Sequence, residues 1–332
     1  MHPRLFEIPF IHWPVPTYGV MMVMGFLSAV YIIRRLSRDI TPDPQMVTNG
    51  ALYSLIAGVF GSRLFYVLHH LEQFRGRPLS FFAVWQGGLE LLGGVILAIT
   101  VILLFLRYHR LPVRRYLDIL AIGLMAALAF GRIGCFLNGC CFGRPTSVAW
   151  AVRFPYGSDP YYSQVNPNTK RDRPQAYLQL PPEYFEVYEG LEYLKPYERL
   201  SEEQKQAVTE GEYRCLPVHP TQLYSSANAF LCCVLLYFFW RRSLKAEKSK
   251  GARKVLSKPG STFALMFIIY GIVRFLLEMV RDDNPFEYGW WIVYKGGTVS
   301  QNLGIYLVVL GVVLMAVFEK MQPGPAAVKR KK

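Results

Sequence analysis

Apolar stretches of about 20 residues recur along this chain, each long enough for a helix to cross the hydrocarbon of a bilayer. They fall at roughly 16–33, 46–68, 88–106, 117–137, 220–240, 261–281 and 301–318, which gives about seven spans. In soluble domains about a quarter of residues are charged. Here 18% are charged and 52% are hydrophobic, so one water-facing core is excluded. The first span lacks the charged n-region and small-residue cleavage site of a signal peptide, and it is expected to be retained.

A net charge of +14 also suits a nucleic-acid binder, so the positions of the basic residues decide the matter. Arg34, Arg35 and Arg38 follow the first span; Arg107, Arg110, Arg114 and Arg115 follow the third. The fifth is followed by Arg241, Arg242, Lys245, Lys248, Lys250, Arg253, Lys254 and Lys258, and the seventh by Lys320 and the run Lys329–Lys332. The short segments on the other side hold only Arg4, Arg75, Arg77 and Lys295. By the positive-inside rule the C-terminus is cytoplasmic and the N-terminus outside. The charge reports topology, and nucleic acid is not an expected partner.

This topology predicts membrane helices 1–4 in residues 1–142, an extracytoplasmic insert at 143–218, helices 5–7 in 219–320 and a basic tail at 321–332. The insert is polar and rich in Tyr and Pro. In its acidic stretch Pro182–Glu212, Leu191, Leu194 and Leu200 stand at loose helical spacing, which predicts a short surface helix. No internal repeat is visible, which disfavours transporter folds built from duplicated halves.

Charges inside the spans carry the functional signal, because a membrane tolerates them only against a partner or a wet cavity. Arg63 lies in the second span, Arg132 in the fourth, and Arg274 with Glu278 in the sixth. Arg274 and Glu278 are four residues apart and share a helix face, so they can pair. Arg281 follows on the same side. Gly131, Gly134 and Gly139 surround Arg132, where small residues let a ligand approach the backbone. Arginine's planar fork of donors suits phosphate. A phospholipid headgroup entering from the leaflet fits, and so does a soluble anion on a transport path.

At this point the residues resemble a known family. GRIGCFLNGCCFGRPT (Gly131–Thr146) is similar to the signature G-R-x-G-N-F-x-N-G-E-x-x-G-R of prolipoprotein diacylglyceryl transferases. Tyr18-Gly19 resembles an early Tyr-Gly of that family, and GSRLFYV (Gly61–Val67) its G-x-R-x-x-Y-V. Trp85-Gln86-Gly87-Gly88 with Gly93-Gly94 resembles W-x-G-G…G-G, and HPTQLY (His219–Tyr224) resembles H-P-S-Q-L-Y. YGIVRFLLE (Tyr270–Glu278) with Arg281 resembles Y-G-x-x-R-F-x-x-E-x-x-R, and Gln301 matches the Gln that opens the last span. Only the 147–218 stretch and the tail lie outside the resemblance.

The resemblance implies an all-α integral membrane enzyme with a lipid-accessible central cavity, in the cytoplasmic (inner) membrane of a bacterium. Its partners would be phosphatidylglycerol, membrane lipids and prolipoprotein signal peptides bearing a lipobox cysteine, with no cofactor and no metal. The diacylglyceryl group would move to the cysteine thiol, forming a thioether and releasing glycerol phosphate. Arg132 and Arg274 would neutralise charge on the leaving phosphate, and Glu278 would orient Arg274. Tyr18, Arg63, Asn138, Gly143, Gln222, Tyr224 and Arg281 would bind substrate, with pairing to Glu90 as the alternative for Arg63.

Several residues depart from the family pattern. Leu92 stands where a His often precedes the second Gly-Gly pair, Cys135 and Cys140 replace Asn and Glu, and Ser225 stands where Glu is usual. A thiol near pKa 8.5 still needs a base. His219 is the candidate, since an imidazole ordinarily titrates near neutrality; Glu90 and the departing phosphate are the alternatives. These departures keep two other readings open: a paralogue using another lipid or acceptor, and a non-catalytic lipid-binding or transport protein. Among the six cysteines, Cys232 and Cys233 read as packing residues. Cys140 or Cys141 is a candidate for a disulfide to Cys215. The C-x4-C-C cluster lacks C-x2-C pairs and a neighbouring His, which argues against a metal.

Overall fold

The computed structural model describes residues 4–8, 13–41, 43–74, 80–81, 88, 90–188, 190–248, 257–286 and 288–321. Trp85, Gln86 and Gly87 of the third-span motif lie outside the described residues. So do Arg75, Arg77, Lys250, Arg253, Lys254 and the tail from Gln322.

Six helices among the described residues are long and apolar enough to cross a membrane: α1 (Thr17–Ser37), α2 (Gln45–His69), α5 (Val113–Asn138), α8 (Thr221–Lys248), α9 (Ser261–Glu278) and α10 (Val299–Lys320). A seventh apolar helix, α4 (Leu91–Tyr108), is shorter and starts three residues after the expected span. α3 (Leu71–Phe74) is a single turn. Every long helix exposes apolar side chains, such as Leu27, Ile56, Leu104, Phe230, Leu276 and Val309. Water would penalise such continuous apolar surface, whereas lipid matches it. The chain is a mostly helical, multi-pass membrane protein. Two antiparallel hairpins add to the helices: β1 (Arg4–Ile8) with β2 (Trp13–Pro16), and β3 (Phe185–Tyr188) with β4 (Leu191–Leu194).

The chain forms two compact units. One comprises Met1–Leu27, Leu124–Tyr237 and Ala264–Leu314; the other comprises Ser28–Gly123, Phe238–Phe263 and Met315–Lys332. In the second unit α2 packs on α4 at glycines. A Cβ on Gly61 would sit 2.5 Å from the carbonyl oxygen of Gly93, so the helices meet backbone to backbone. In the same unit Asp118 of α5, buried, accepts from the backbone N–H groups of Gly260 (2.8 Å) and Phe263 (3.0 Å). It thereby caps α9 from another helix and satisfies donors that the helix start leaves open.

In the first unit, α5 ends at Asn138 and is followed by Gly139, whose φ of 90° is the left-handed turn that glycine accepts readily. α10 opens with a capping box: Thr298 Oγ1 accepts from the Gln301 N–H (3.3 Å) and Gln301 Oε1 accepts from the Thr298 N–H (3.0 Å). Gln301 therefore holds a helix start.

The segment after α5 has its own apolar core of Phe154, Tyr161, Val165, Leu178, Leu194, Cys215 and Val218, with a smaller cluster of Tyr184, Leu200 and Val208. The helix expected around Leu191, Leu194 and Leu200 is displaced. Leu191 and Leu194 lie on β4, and α7 runs over Glu202–Thr209. Ser201 and Gln204 set its start as a reciprocal capping box, a stronger local signal than three loosely spaced leucines.

Candidate active site

Arg132 on α5 and Arg274 on α9 line one small cleft, together with Leu128, Ser225, Asn228, Tyr270 and Leu277. The spacing on each helix explains the convergence. Leu128 and Arg132 are four apart, Ser225 and Asn228 three, and Tyr270, Arg274 and Leu277 four and then three, so each set shares one face. Two aliphatic side chains and three polar groups beside two guanidiniums suit a ligand with an apolar end and an anionic end.

The two arginines differ in how they are held. Arg274 Nη2 lies 3.0 Å from Glu278 Oε2 and donates to Ser300 Oγ, so the expected pair forms. Glu278 is fully buried, accepts from Asn284 Nδ2 and has Arg281 Nε 3.7 Å away. Arg274 Nη1 is buried and has no hydrogen-bond partner among the described residues. Arg132 has no carboxylate within ion-pair distance among the described residues; Nη1 reaches Cys141 Sγ at 3.7 Å. Buried polar groups are normally satisfied. A guanidinium with no carboxylate partner among the described residues and a second with one open nitrogen, both on one cleft, suit an anion.

The strand-like segment after α5 is stitched to the start of α8. Gln222 Nε2 donates to the Cys140 carbonyl and Thr221 Oγ1 to the Cys141 carbonyl, both at 2.7 Å. Gln222 is buried, and its Oε1 has no partner among the described residues. The Gly143 N–H donates to the His219 carbonyl (3.1 Å), and Gly143 bridges to Arg281. A Cβ on Gly143 would lie 2.6 Å from both Cβ and O of His219, so only glycine fits. His219 Nδ1 is 3.3 Å from the Tyr224 hydroxyl, which accepts from Trp150 Nε1 at 2.6 Å. The Tyr18 ring packs against Gly134, where a Cβ would approach it to 3.0 Å. Asn138, the last residue of α5, is exposed.

Other expected site residues are held by the protein itself. Arg281 forms a two-point contact with Asp283 (Nε–Oδ1 2.8 Å, Nη2–Oδ2 2.5 Å) and is buried. Beside it, burial pushes the Asp282 carboxyl up, opposed by Arg173, Arg171 and Arg144. In the other unit, Arg63 donates to the carbonyls of Phe81 (2.9 Å), Ser80 (2.7 Å) and Gly88 (3.1 Å), and its guanidinium lies over Tyr66 and Phe74. The Glu90 carboxylate is taken by His69 Nδ1 at 2.7 Å, which accounts for that carboxylate in place of the Arg63 pairing. Leu92 is 64% exposed. The suggested disulfide to Cys215 does not form: all six cysteines are free, and Cys215 is 1% exposed in the apolar core of its segment. Burial there pushes its thiol up, keeping it protonated and inert.

Sequence reasoning passed over Tyr270, Ser225, Asn228, Asn284 and Ser300 as site residues. Tyr270 is one turn before Arg274, and Ser225 and Asn228 share a face of an apolar span, so helical spacing could have found these three. Asn284 and Ser300 come from a loop and a helix start, and only folding brings them to Glu278 and Arg274.

A multi-pass helical protein with two arginines of its apolar helices on one cleft belongs to the class of membrane proteins that keep charge in their helices for a functional site. The prolipoprotein diacylglyceryl transferase family matches residues 3–317, and the chain belongs to that family of membrane transferases in lipoprotein biogenesis. It is similar to phosphatidylglycerol–prolipoprotein diacylglyceryl transferases of Xanthomonas oryzae pv. oryzae (28% identical, covering 97% of this chain and 94% of the relative). A protein of that name from Synechococcus elongatus is 26% identical, covering 85% of this chain and 78% of the relative.

Proposed function

We propose that this chain transfers the diacylglyceryl group of phosphatidylglycerol to the lipobox cysteine of a prolipoprotein. The carrying observation is the pair of guanidiniums on one cleft, Arg132 free of any described carboxylate and Arg274 with Nη1 open. In the reaction the cysteine sulfur attacks the glyceryl carbon that bears the phosphate. A C–S bond forms, the C–O bond breaks, and glycerol phosphate leaves with the bonding pair. Charge grows on the departing phosphate, and donors fixed beforehand in a site of low dielectric stabilise it most. In this reading Arg132 and Arg274 perform that task, supported by the contacts of Glu278 and Ser300 that hold Arg274.

The thiol proton passes to a base, for which we propose His219, held by Tyr224. The cleft's aliphatic side chains, Leu128 and Leu277, suit the acyl end of the lipid. We place the chain in the bacterial cytoplasmic membrane with its N-terminus and the 143–218 insert outside and its C-terminus inside, as the Lys and Arg distribution favours. Reporter fusions at either terminus and within 143–218 test that orientation.

The direct test supplies purified protein in detergent with phosphatidylglycerol and a lipobox peptide. Peptide mass and glycerol phosphate release are followed together. A diacylglyceryl mass gain, lost in a Cys→Ser peptide and in Arg132→Ala, is the expected result. No product beside an active relative in the same detergent overturns the reading.

A further inference from the structure

Three thiols meet at the end of α5. The sulfurs of Cys135, Cys140 and Cys141 all lie within 4.8 Å of one another, although a C-x4-C-C spacing lacks the usual paired motif. The chain spends strain to bring them together. Cys141 adopts φ 61°, a left-handed conformation that a non-glycine residue rarely takes and that concentrates at functional positions. The carbonyls on either side of the turn are clamped by Gln222 and Thr221, so the sulfurs are held before any ligand arrives. Cys135 is buried while Cys140 and Cys141 are half-buried.

We infer that Cys135, Cys140 and Cys141 form a three-sulfur site for a soft, thiophilic metal ion such as Zn²⁺ or Cu⁺. Bonds of about 2.3 Å set sulfur–sulfur separations of about 3.8–4.0 Å in a tetrahedral or trigonal centre. Separations already under 4.8 Å need only a small contraction. Thiolate softness selects Zn²⁺ or Cu⁺ over Mg²⁺ or Ca²⁺. Binding releases the three thiol protons, leaving three thiolates with Zn²⁺ at net −1 and with Cu⁺ at net −2. Arg132, with Nη1 3.7 Å from Cys141 Sγ, supplies a compensating positive charge. The site shares Arg132 with the transfer reaction proposed above, but the inference rests on the three sulfurs and its test does not use turnover.

Reduced, metal-free, full-length protein in detergent is equilibrated separately with Zn²⁺ and with Cu⁺, desalted and assayed for retained metal. Cd²⁺ serves as a spectroscopic probe through its thiolate charge-transfer absorption. The expected result is about one ion per chain, with three fewer titratable thiols in the loaded wild-type protein. Retention should persist in Cys215→Ser and in the Cys232→Ser/Cys233→Ser variant. It should fall at least tenfold in Cys141→Ser, whose size-exclusion profile and unfolding midpoint should match wild type. Competition between the two ions identifies the preferred one. No retained ion and no thiol protection in the wild type overturns the proposal. So does undiminished retention in Cys141→Ser, or a two-hydrogen mass loss showing that the cluster instead closes as a disulfide. The thiol-protection arm needs no variant, so a substitution that fails to fold leaves the proposal testable.

Discussion

Replacing Arg132 and Arg274 separately should divide catalysis from folding. Arg274 forms a 3.0 Å pair with a fully buried Glu278, so Arg274→Ala leaves that carboxylate short of a partner. Breaking a buried pair from one side costs roughly 3–5 kcal/mol. Arg281 at 3.7 Å and Asn284 remain beside Glu278, which argues for the lower end of that range. Arg132→Ala orphans no carboxylate among the described residues, because its one described hydrogen bond is to a sulfur at 3.7 Å. Its effect on stability should stay within about 1 kcal/mol.

Both variants should lose rate. Removing one preorganised donor to a developing anion costs about 2.7–4 kcal/mol of barrier, or about 10²–10³ in turnover. The assay pairs initial rates of peptide modification with denaturant unfolding in the same detergent. The reasoning is refuted if Arg132→Ala is destabilised as much as Arg274→Ala, or if it keeps its rate within about tenfold of wild type.

Other substitutions test other links in the chain. Asp118→Ala removes the acceptor of the Gly260 and Phe263 N–H groups and should cost about 1–3 kcal/mol, and Asp118→Asn should lose less; unfolding midpoints measure both. Gly143→Ala forces a methyl to 2.6 Å from the His219 backbone and should destabilise by roughly 1–3 kcal/mol while lowering the rate. A fully active, unshifted protein would contradict that packing. His219→Ala should slow transfer at neutral pH far more than at alkaline pH, where a substrate thiol of pKa about 8.5 ionises unaided. An equal small effect at both pH values would remove His219 as the base.

Length and polarity of the apolar runs were enough to specify a multi-pass helical protein, because a spanning helix satisfies its own backbone and needs only about 20 apolar residues. The Arg274–Glu278 pair was legible for a similar reason, since four residues along one helix is a local distance. Arg63 and Arg281 stood out as charges and Gly143 through the family resemblance, yet the folded chain sets their surroundings. Arg63 is occupied by the carbonyls of residues 80, 81 and 88, Arg281 by Asp283, and Gly143 by the His219 backbone.

The cysteine cluster marks the boundary most sharply. Spacing along the chain gave no metal motif, because motifs of that kind encode only local geometry. A left-handed residue at Cys141, with two clamps from α8, draws the three sulfurs together. The sequence by itself determined the helices, the membrane and the pair one turn apart on α9. Tertiary structure alone decided which charges stayed free, since that depends on where chain segments far apart in sequence place their carbonyls and carboxylates.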